Sequence, residues 1–120
     1  FQPHLIPMTR GILDTVYADF VEGAFSSPDE AATKVPELYH EYYRDEPFVH
    51  VVGTPPQSKQ TWGNNDCIVY PTVDQRTGRL VVFSVLDNLV KGAAGQAVQN
   101  MNLMFGLSEV TGLQQLAIYP

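Results

Sequence analysis

The chain has 120 residues, enough for one domain around one hydrophobic core, so we predict a single domain over residues 1–120. Its net charge of −6 lacks the basic footprint that nucleic acids and anionic membranes require, which argues against both as partners. The single cysteine excludes an internal disulfide, and the sequence shows neither an apolar run of membrane-spanning length nor a signal peptide, which predicts a cytoplasmic location.

The first elements along the chain are predicted to be a strand and a capped helix. Residues 12–21 are rich in β-branched and aromatic side chains, which favour a strand. Ser27 and Glu30 have the spacing of a capping box, in which each side chain binds a free backbone N–H of the first helical turn. Pro28 between them suits the first helical position, so we expect a helix to begin there.

The middle of the chain is predicted to hold a broken helix, a short strand and a loop. An interior proline loses a hydrogen bond and clashes with the preceding turn, so Pro36 interrupts the helix. The result is either one kinked helix or two segments, the second over residues 37–44. Residues 48–52 predict a short strand, and residues 53–66, with their prolines, glycines and asparagines, predict a loop.

A β-hairpin is the clearest local pattern in the second half. Residues 67–73 and 79–86 predict two strands, and the turn between them ends in Gly78, which tolerates positive φ. Residues 116–119 predict a last edge strand.

Residues 88–105 predict the last helix, which is unusual in carrying almost no charge. Lys91 is its one charged side chain, whereas a helix that faces solvent normally has a charged outer face. Gly92 and Gly95 indicate that a backbone, a ligand or another element approaches closely. The helix is either buried on both sides within this fold, or packs against a domain absent from this chain with its N-terminus near a ligand. Its apolar residues recur at helical spacings: Val90, Ala94, Ala97, Met101, Met104 and Phe105.

Few side chains indicate chemistry by themselves, and no catalytic residue or metal ligand is predicted. Cys67 opens a strand beside Asp66, whose charge would raise the pKa of the thiol, so a structural cysteine is favoured over a nucleophile. Arg10 beside Gly11 either presents its fork to a carboxylate or phosphate, or forms a structural ion pair. The histidines lie on separate elements without helical ligand spacing, which argues against a metal site: His4, His40 and His50.

Four segments resemble the N-acetyl-γ-glutamyl-phosphate reductase family. They span nearly the whole chain, and the fourth is long and specific. The family also tends to end near a pair such as Tyr119-Pro120. The segments are Pro3-His4-Leu-Ile-Pro7-Met8-Thr-Arg10-Gly11-Ile12, residues 42–49, Trp62-Gly63-Asn64-Asn65-Asp66-Cys67, and residues 87–107 with Asp87-Asn88-Leu-Val-Lys91-Gly92-Ala-Ala-Gly95-Gln96 at their start.

The resemblance implies part of an enzyme of arginine biosynthesis. The family reduces N-acetyl-γ-glutamyl phosphate, an acyl phosphate, to the semialdehyde with NADPH, through a cysteine thioester. Its nucleotide-binding fold, its Gly-Cys-aromatic nucleophile motif and its catalytic histidine segment lie upstream of this region, and neither Cys67 nor His4 matches them. The resemblance therefore implies a C-terminal portion that is inactive alone, which agrees with the absence of an initiator methionine at Phe1.

The resemblance also implies a fold and supporting site residues. Asn88 would approach the nicotinamide carboxamide of NADPH, Gly92 would permit that approach, and Arg10 would bind or orient the acidic substrate. The implied fold is α+β, with a mixed, largely antiparallel sheet and helices on one face, as in the C-terminal domains of glyceraldehyde-phosphate and semialdehyde dehydrogenases. The sheet would carry much of a dimer or tetramer interface, and the helix over 88–105 would pack on the nucleotide-binding domain.

A second function stays open beside the reductase. A chain of this size could also be a stand-alone, non-catalytic oligomerisation or binding module. The two hypotheses differ in whether an upstream Gly-Cys-Phe/Tyr segment exists in the full reading frame, because only the reductase needs that nucleophile.

Overall fold

A computed structural model describes residues 2–118, so the predicted pair Tyr119-Pro120 and the first residue, Phe1, lie outside the described residues. Over these described residues the chain forms one four-stranded sheet, two α-helices and two short helical turns. In chain order the elements are β1 (Ile12–Ala18), α1 (Pro28–Tyr42), β2 (Val49–Val51), a 3₁₀ turn (Ser58–Thr61), β3 (Cys67–Asp74), β4 (Arg79–Leu86), a π-helical turn (Val90–Ala94) and α2 (Gly95–Met104).

The sheet is mixed but largely antiparallel, as predicted. Its strand order is β1-β4-β3-β2. β4 pairs antiparallel with both β1 and β3, so that Leu86 lies opposite Ile12 on one side and Cys67 on the other. β2 adds to β3 in parallel. The predicted hairpin is confirmed, with Gly78 at a φ of +69° in its turn.

Helix α1 begins where the capping box predicted and packs on one face of the sheet. Ser27 Oγ accepts the backbone N–H of Glu30 at 3.2 Å. The helix runs through Pro36 to Tyr42, so the two-segment alternative is wrong. Its buried residues Ala31 and Val35 pack in a core cluster with the sheet. We attribute the continuity to this packing, which offsets the one hydrogen bond that proline removes.

The structure corrects three other predictions. The first strand stops at Ala18, because the chain leaves the sheet and Phe20 packs edge-to-face on Phe25 at 4.9 Å. The predicted edge strand over 116–119 is wrong for its described residues: Ile118 donates one backbone hydrogen bond to Trp62, which forms no ladder. The loop over 53–66 contains the 3₁₀ turn.

The two faces of the sheet have different neighbours. α1 packs on one face of the sheet, around Val73 and Leu80. The π-helical turn lies against Leu86 on this same face, since a Cβ on Gly92 would be 3.3 Å from the Leu86 side chain. Side chains alternate along a strand, so the opposite face presents another set of residues. Val81 and Val85 of this set are buried, and its other members around Thr15 form what we call the open face. Leu13 and Tyr17 of this set are 57% and 61% exposed. The open face consists of Leu13, Thr15, Tyr17, Tyr70 and Phe83.

Candidate functional site

Three separate segments meet at a single carboxylate where β4 ends. Asp87 is the first residue after the strand, and it is fully buried. Its Oδ2 accepts hydrogen bonds from Arg10 Nε at 2.9 Å, from Arg10 Nη2 at 2.5 Å and from the backbone N–H of Gly63 at 2.8 Å. Its Oδ1 accepts the backbone N–H groups of Leu89 at 2.7 Å and Val90 at 3.0 Å. The carboxylate thereby joins the segment before β1, the loop before β3 and the start of the last helix.

These donors keep Asp87 ionised although it is buried. Burial alone would raise the pKa of the carboxyl, because it disfavours the charged form. Hydrogen bonds from the Gly63 backbone, the Arg10 guanidinium and the Leu89 and Val90 backbones outweigh burial and hold the pKa below its ordinary value of 3.8. The site is thus an internal ion pair in which the charged form has complete hydrogen bonding.

Arg10, one of the predicted site residues, is the partner of this carboxylate. The structural ion pair that its sequence context allowed is therefore present. Its side chain remains 32% exposed, and Nε and Nη2 are the two nitrogens that bind Asp87. Within the described residues Nη1 has no hydrogen-bond partner, so it is left for another acceptor.

Asn88, the second predicted site residue, lies directly beside the ion pair. Its Oδ1 accepts the backbone N–H of Gly11 at 2.8 Å. Its Nδ2 lies 3.5 Å from the carbonyl oxygen of Thr9, the limit of a hydrogen bond. A backbone N–H can only donate, so the amide oxygen must face Gly11 and the NH₂ group must point the other way. The half-buried Asn88 therefore offers a hydrogen-bond donor.

Gly92, the third predicted site residue, is exposed in the turn that precedes α2. The predicted helix over 88–105 does not begin at Asn88: a π-helical turn over Val90–Ala94 comes first, with Gly92 N–H donating to the carbonyl oxygen of Asp87 at 2.8 Å. The close approach expected at this glycine comes from that carbonyl, 3.3 Å from a Cβ built on Gly92. At Gly95 the close neighbour is the side chain of Asn65, whose Oδ1 would overlap an added Cβ.

A buried network of amides connects α2 to the segment that follows it. Gln99 accepts hydrogen bonds from Asn65 Nδ2 at 2.9 Å and from Lys91 Nζ at 2.7 Å, and donates to Glu109 Oε1 at 2.5 Å. Asn102 donates to the carbonyl oxygens of Glu109 and Thr111 at 3.1 and 3.0 Å. Gln99 and Asn102 are 8% and 1% exposed. The polar side of α2 therefore faces inward.

The apolar side chains at the end of α2 face outward as a consequence. They are exposed although a helix normally buries such residues. Among the described residues nothing covers them, so this chain alone does not explain the composition of the helix. We call these residues the α2 apolar surface: Met101, Leu103, Met104, Phe105 and Leu107.

Cys67 lies opposite Leu86, the residue before Asp87, in a setting that does not favour a thiolate. Burial is the main reason that the pKa of its thiol is raised, with the charges of Asp14 and Asp66 acting in the same direction and Lys91 opposing them. The Lys91 ammonium is itself partly desolvated, which lowers its pKa, and it lies 5.3 Å from the centre of the Phe48 ring. These surroundings give no support to a nucleophilic role.

The three histidines remain apart in the fold. His4 precedes β1, His40 lies on α1 and His50 lies on β2, where its Nε2 is 3.3 Å from Asp66 Oδ1. Over residues 2–118 no group of three or more side chains of the metal-ligating types comes together. No helix in the same range is long and apolar enough to span a membrane.

The structure brings Arg10 and Asn88 together, while Asp87, which links them, was not among the predicted site residues. A signal for it existed in the sequence. Aspartate is a preferred N-cap residue, and Asp87 stands between a strand and a helix. Its ion pair with Arg10 joins residues 77 positions apart, and local patterns hold no information on such a contact.

Comparison with known proteins identifies relatives for the whole chain. The sequence model described as the semialdehyde dehydrogenase dimerisation domain matches residues 1–88. Proteins named N-acetyl-gamma-glutamyl-phosphate reductase are 52% identical in Heliobacterium modesticaldum, 52% in Thermus thermophilus and 53% in Pelotomaculum thermopropionicum. Each alignment covers 100% of this chain and 33–34% of the relative. The chain thus spans about a third of the length of the curated relatives it matches.

Proposed function

Since the chain belongs to the semialdehyde dehydrogenase family and forms its dimerisation domain, we propose that it is the C-terminal part of an N-acetyl-γ-glutamyl-phosphate reductase. The observation that carries this proposal is the identity of about 52% over the full chain to relatives of that name. The complete enzyme would reduce N-acetyl-γ-glutamyl phosphate to the semialdehyde in arginine biosynthesis, in the cytoplasm. The remaining two thirds of the relatives' length would supply the nucleotide-binding domain and the nucleophile.

The cofactor we propose is NADPH, which supplies the hydride for the reduction. The residues at the start of the last helix suit it. Asn88 offers a donor amide, and Gly92, Ala93 and Ala94 beside it are small and exposed, so a planar group could approach the backbone. Asn88 would bind the carboxamide of the nicotinamide, and Gly92 would leave room for it.

We propose a supporting role for Arg10 on the substrate side. Nε and Nη2 of its guanidinium are engaged with Asp87, so Nη1 is the group that would face the acidic substrate. The ion pair would hold the guanidinium in one orientation, which favours recognition of an anion at a fixed place. Neither Arg10 nor Asn88 makes or breaks a covalent bond in this proposal.

Two surfaces of the chain would be covered in the complete enzyme. The open face of the sheet lies within residues 1–88, the part that matches the dimerisation domain, so a second copy would cover it. The α2 apolar surface lies beyond residue 88, and the enzyme's own nucleotide-binding domain would cover it. Burial of both surfaces would explain why the apolar side chains on them are exposed in this chain.

The test compares the 120-residue chain with the full-length protein. We expect the full-length protein to oxidise NADPH with N-acetyl-γ-glutamyl phosphate, followed by loss of absorbance of the reduced nicotinamide, and the isolated chain to show no turnover. Turnover by the isolated chain that disappears in Cys67→Ala would overturn the structural role of Cys67. A reading frame without an upstream Gly-Cys-Phe/Tyr segment would favour the stand-alone oligomerisation module.

A second measurement tests the cofactor role of Asn88. In the full-length enzyme, Asn88→Ala should weaken NADPH binding by about tenfold, the effect of one lost hydrogen bond to the ligand. The melting temperature should fall little. Unchanged NADPH affinity together with a lower melting temperature would show that Asn88 only supports the fold.

A further inference from the structure

The two oxygens of the Asp87 carboxylate have different tasks. Oδ1 accepts the N–H groups of Leu89 and Val90, as an N-cap residue does for the first turn of a helix. Oδ2 accepts Arg10 and Gly63, which belong to two other segments. Capping the helix needs Oδ1 alone. The contacts of Oδ2 therefore require another explanation.

The contacts of Asp87 surround Asn88 on both sides. After Asn88, the backbone of Leu89 and Val90 is bound to Oδ1. Arg10 is bound to Oδ2, and the next residue along the chain, Gly11, donates its N–H to Asn88 Oδ1. One carboxylate thus fixes both the backbone that carries Asn88 and the strand start that orients its amide.

We propose that Asp87 is a positioning residue that holds the Asn88 amide with its NH₂ group toward the cofactor. This inference rests on the proposed function of Asn88. Because Asn88 Oδ1 accepts the N–H of Gly11, the amide of Asn88 presents its NH₂ group as a donor. The amide therefore recognises the carbonyl oxygen of the nicotinamide carboxamide and not its amino group. Asp87 itself is fully buried and acts only through its neighbours.

A double-mutant cycle in the full-length enzyme tests this proposal. The variants are Asp87→Asn, Asn88→Ala and the double variant, and the readout is the dissociation constant of NADPH from fluorescence titration without acyl phosphate. If Asp87 acts through Asn88, each single variant weakens NADPH binding by about tenfold, and the double variant is weaker than Asn88→Ala by no more than about twofold. A merely structural role would lower the melting temperature and leave the NADPH dissociation constant unchanged.

The outcomes separate this inference from the proposed function. If Asn88→Ala binds NADPH normally, the proposed cofactor role of Asn88 fails. If Asn88→Ala is weakened while Asp87→Asn binds normally, only the positioning role fails. Independent effects that multiply in the double variant would also contradict it, because they would show that Asp87 does not act through Asn88.

If Asp87→Asn does not fold, Arg10→Met is the alternative variant for testing the positioning role of Asp87. It removes the two side-chain hydrogen bonds to Oδ2 and leaves the backbone donors of Asp87 in place. We expect about threefold to tenfold weaker NADPH binding. Arg79→Met is the matched control, because Arg79 forms an exposed ion pair with Asp19. The Arg79→Met enzyme should bind NADPH like the wild type. Arg10→Met with unchanged NADPH affinity would overturn the proposal.

Discussion

Asp87 is buried and ionised, and this combination makes the stability of the chain sensitive to acid. Its folded-state pKa is below the ordinary value of 3.8, because the hydrogen bonds of the charged form outweigh burial. A carboxyl group whose pKa is lower in the folded state than in the unfolded state stabilises the fold. This stability is fully present above the unfolded-state pKa and is lost as the pH falls through the folded-state pKa. We expect the urea midpoint to fall steeply below about pH 4.

The variant Asp87→Asn isolates this contribution. Glu30, with a pKa lowered to about 2 by Lys34 and Ser26, and Asp74 also titrate in acid, and both remain in the variant. The difference between the urea midpoints of wild type and variant should therefore shrink as the pH falls. A difference that stays constant from neutral to strongly acidic pH would contradict an ionised Asp87.

Gly95 is a second residue whose role depends on one neighbour. Alanine normally stabilises a helix interior over glycine by about 1 kcal/mol. At Gly95 the added Cβ would overlap Asn65 Oδ1 and lie 2.8 Å from the Val90 carbonyl oxygen, so we expect Gly95→Ala to lower the free energy of unfolding by about 2 kcal/mol. Urea denaturation measures this change.

Two further variants check the cause of that loss. A Cβ on Gly53 would meet nothing within 4 Å, so Gly53→Ala should change the free energy of unfolding by less than about 0.5 kcal/mol. Adding Asn65→Ala to Gly95→Ala should cost less than the sum of the two single losses, since the overlapping oxygen is then gone. Additive losses would show that Asn65 does not limit the space at Gly95.

At the scale of the element, α2 has its polar side inside. Asn102 is buried and satisfies two carbonyl oxygens of the following segment, Glu109 and Thr111. We expect Asn102→Ala to lower the free energy of unfolding by about 2 kcal/mol, because both carbonyls lose their donor. The exposed Asn100 on the same helix is the control, and its replacement by alanine should cost less than about 0.5 kcal/mol. Equal losses in the two variants would contradict the inward orientation.

This helix also shows how far the sequence could predict the structure. Apolar spacing over 88–105 predicted a helix, and α2 confirms it over Gly95–Met104. The same spacing could not predict which side faces inward, because the partners of Gln99 and Asn102 lie in an irregular segment that only the fold brings near. The π-helical turn before α2 was not predicted, and the neighbour that an added Cβ on Gly95 would meet, Asn65, lies 30 positions earlier in the chain.

The strands and α1 were more predictable because their signals are local. The capping box at Ser27 and the turn at Gly78 each depend on a few neighbouring residues. Pro36 left two alternatives open for α1, one helix or two segments, because burial of Ala31 and Val35 against the sheet is not visible in the local sequence. At the site, local context suggested Arg10, the family resemblance suggested Asn88, and the ion pair of Asp87 with Arg10 required the tertiary structure.

At the scale of the whole molecule, the two exposed apolar surfaces should have separate functions. The open face lies within the part matched by the dimerisation domain, and the α2 apolar surface lies outside it. A charge on the open face should therefore affect subunit association, and a charge on α2 should affect the docking of the proposed nucleotide-binding domain, because each would bury an unpaired charge in its own interface.

Tyr17→Asp in the full-length protein tests the first surface. We expect the equilibrium between oligomer and monomer to shift toward monomer by at least about tenfold, measured by sedimentation velocity over a range of concentrations. Tyr42→Asp is the matched control: Tyr42 is 78% exposed on α1, which packs on the other face, so subunit association in this variant should match the wild type.

Met104→Asp tests the second surface, the α2 apolar surface. This variant should leave the oligomer intact and increase cleavage between the domains in limited proteolysis. If Met104→Asp dissociated the subunits and Tyr17→Asp did not, the assignment of the two surfaces would be reversed.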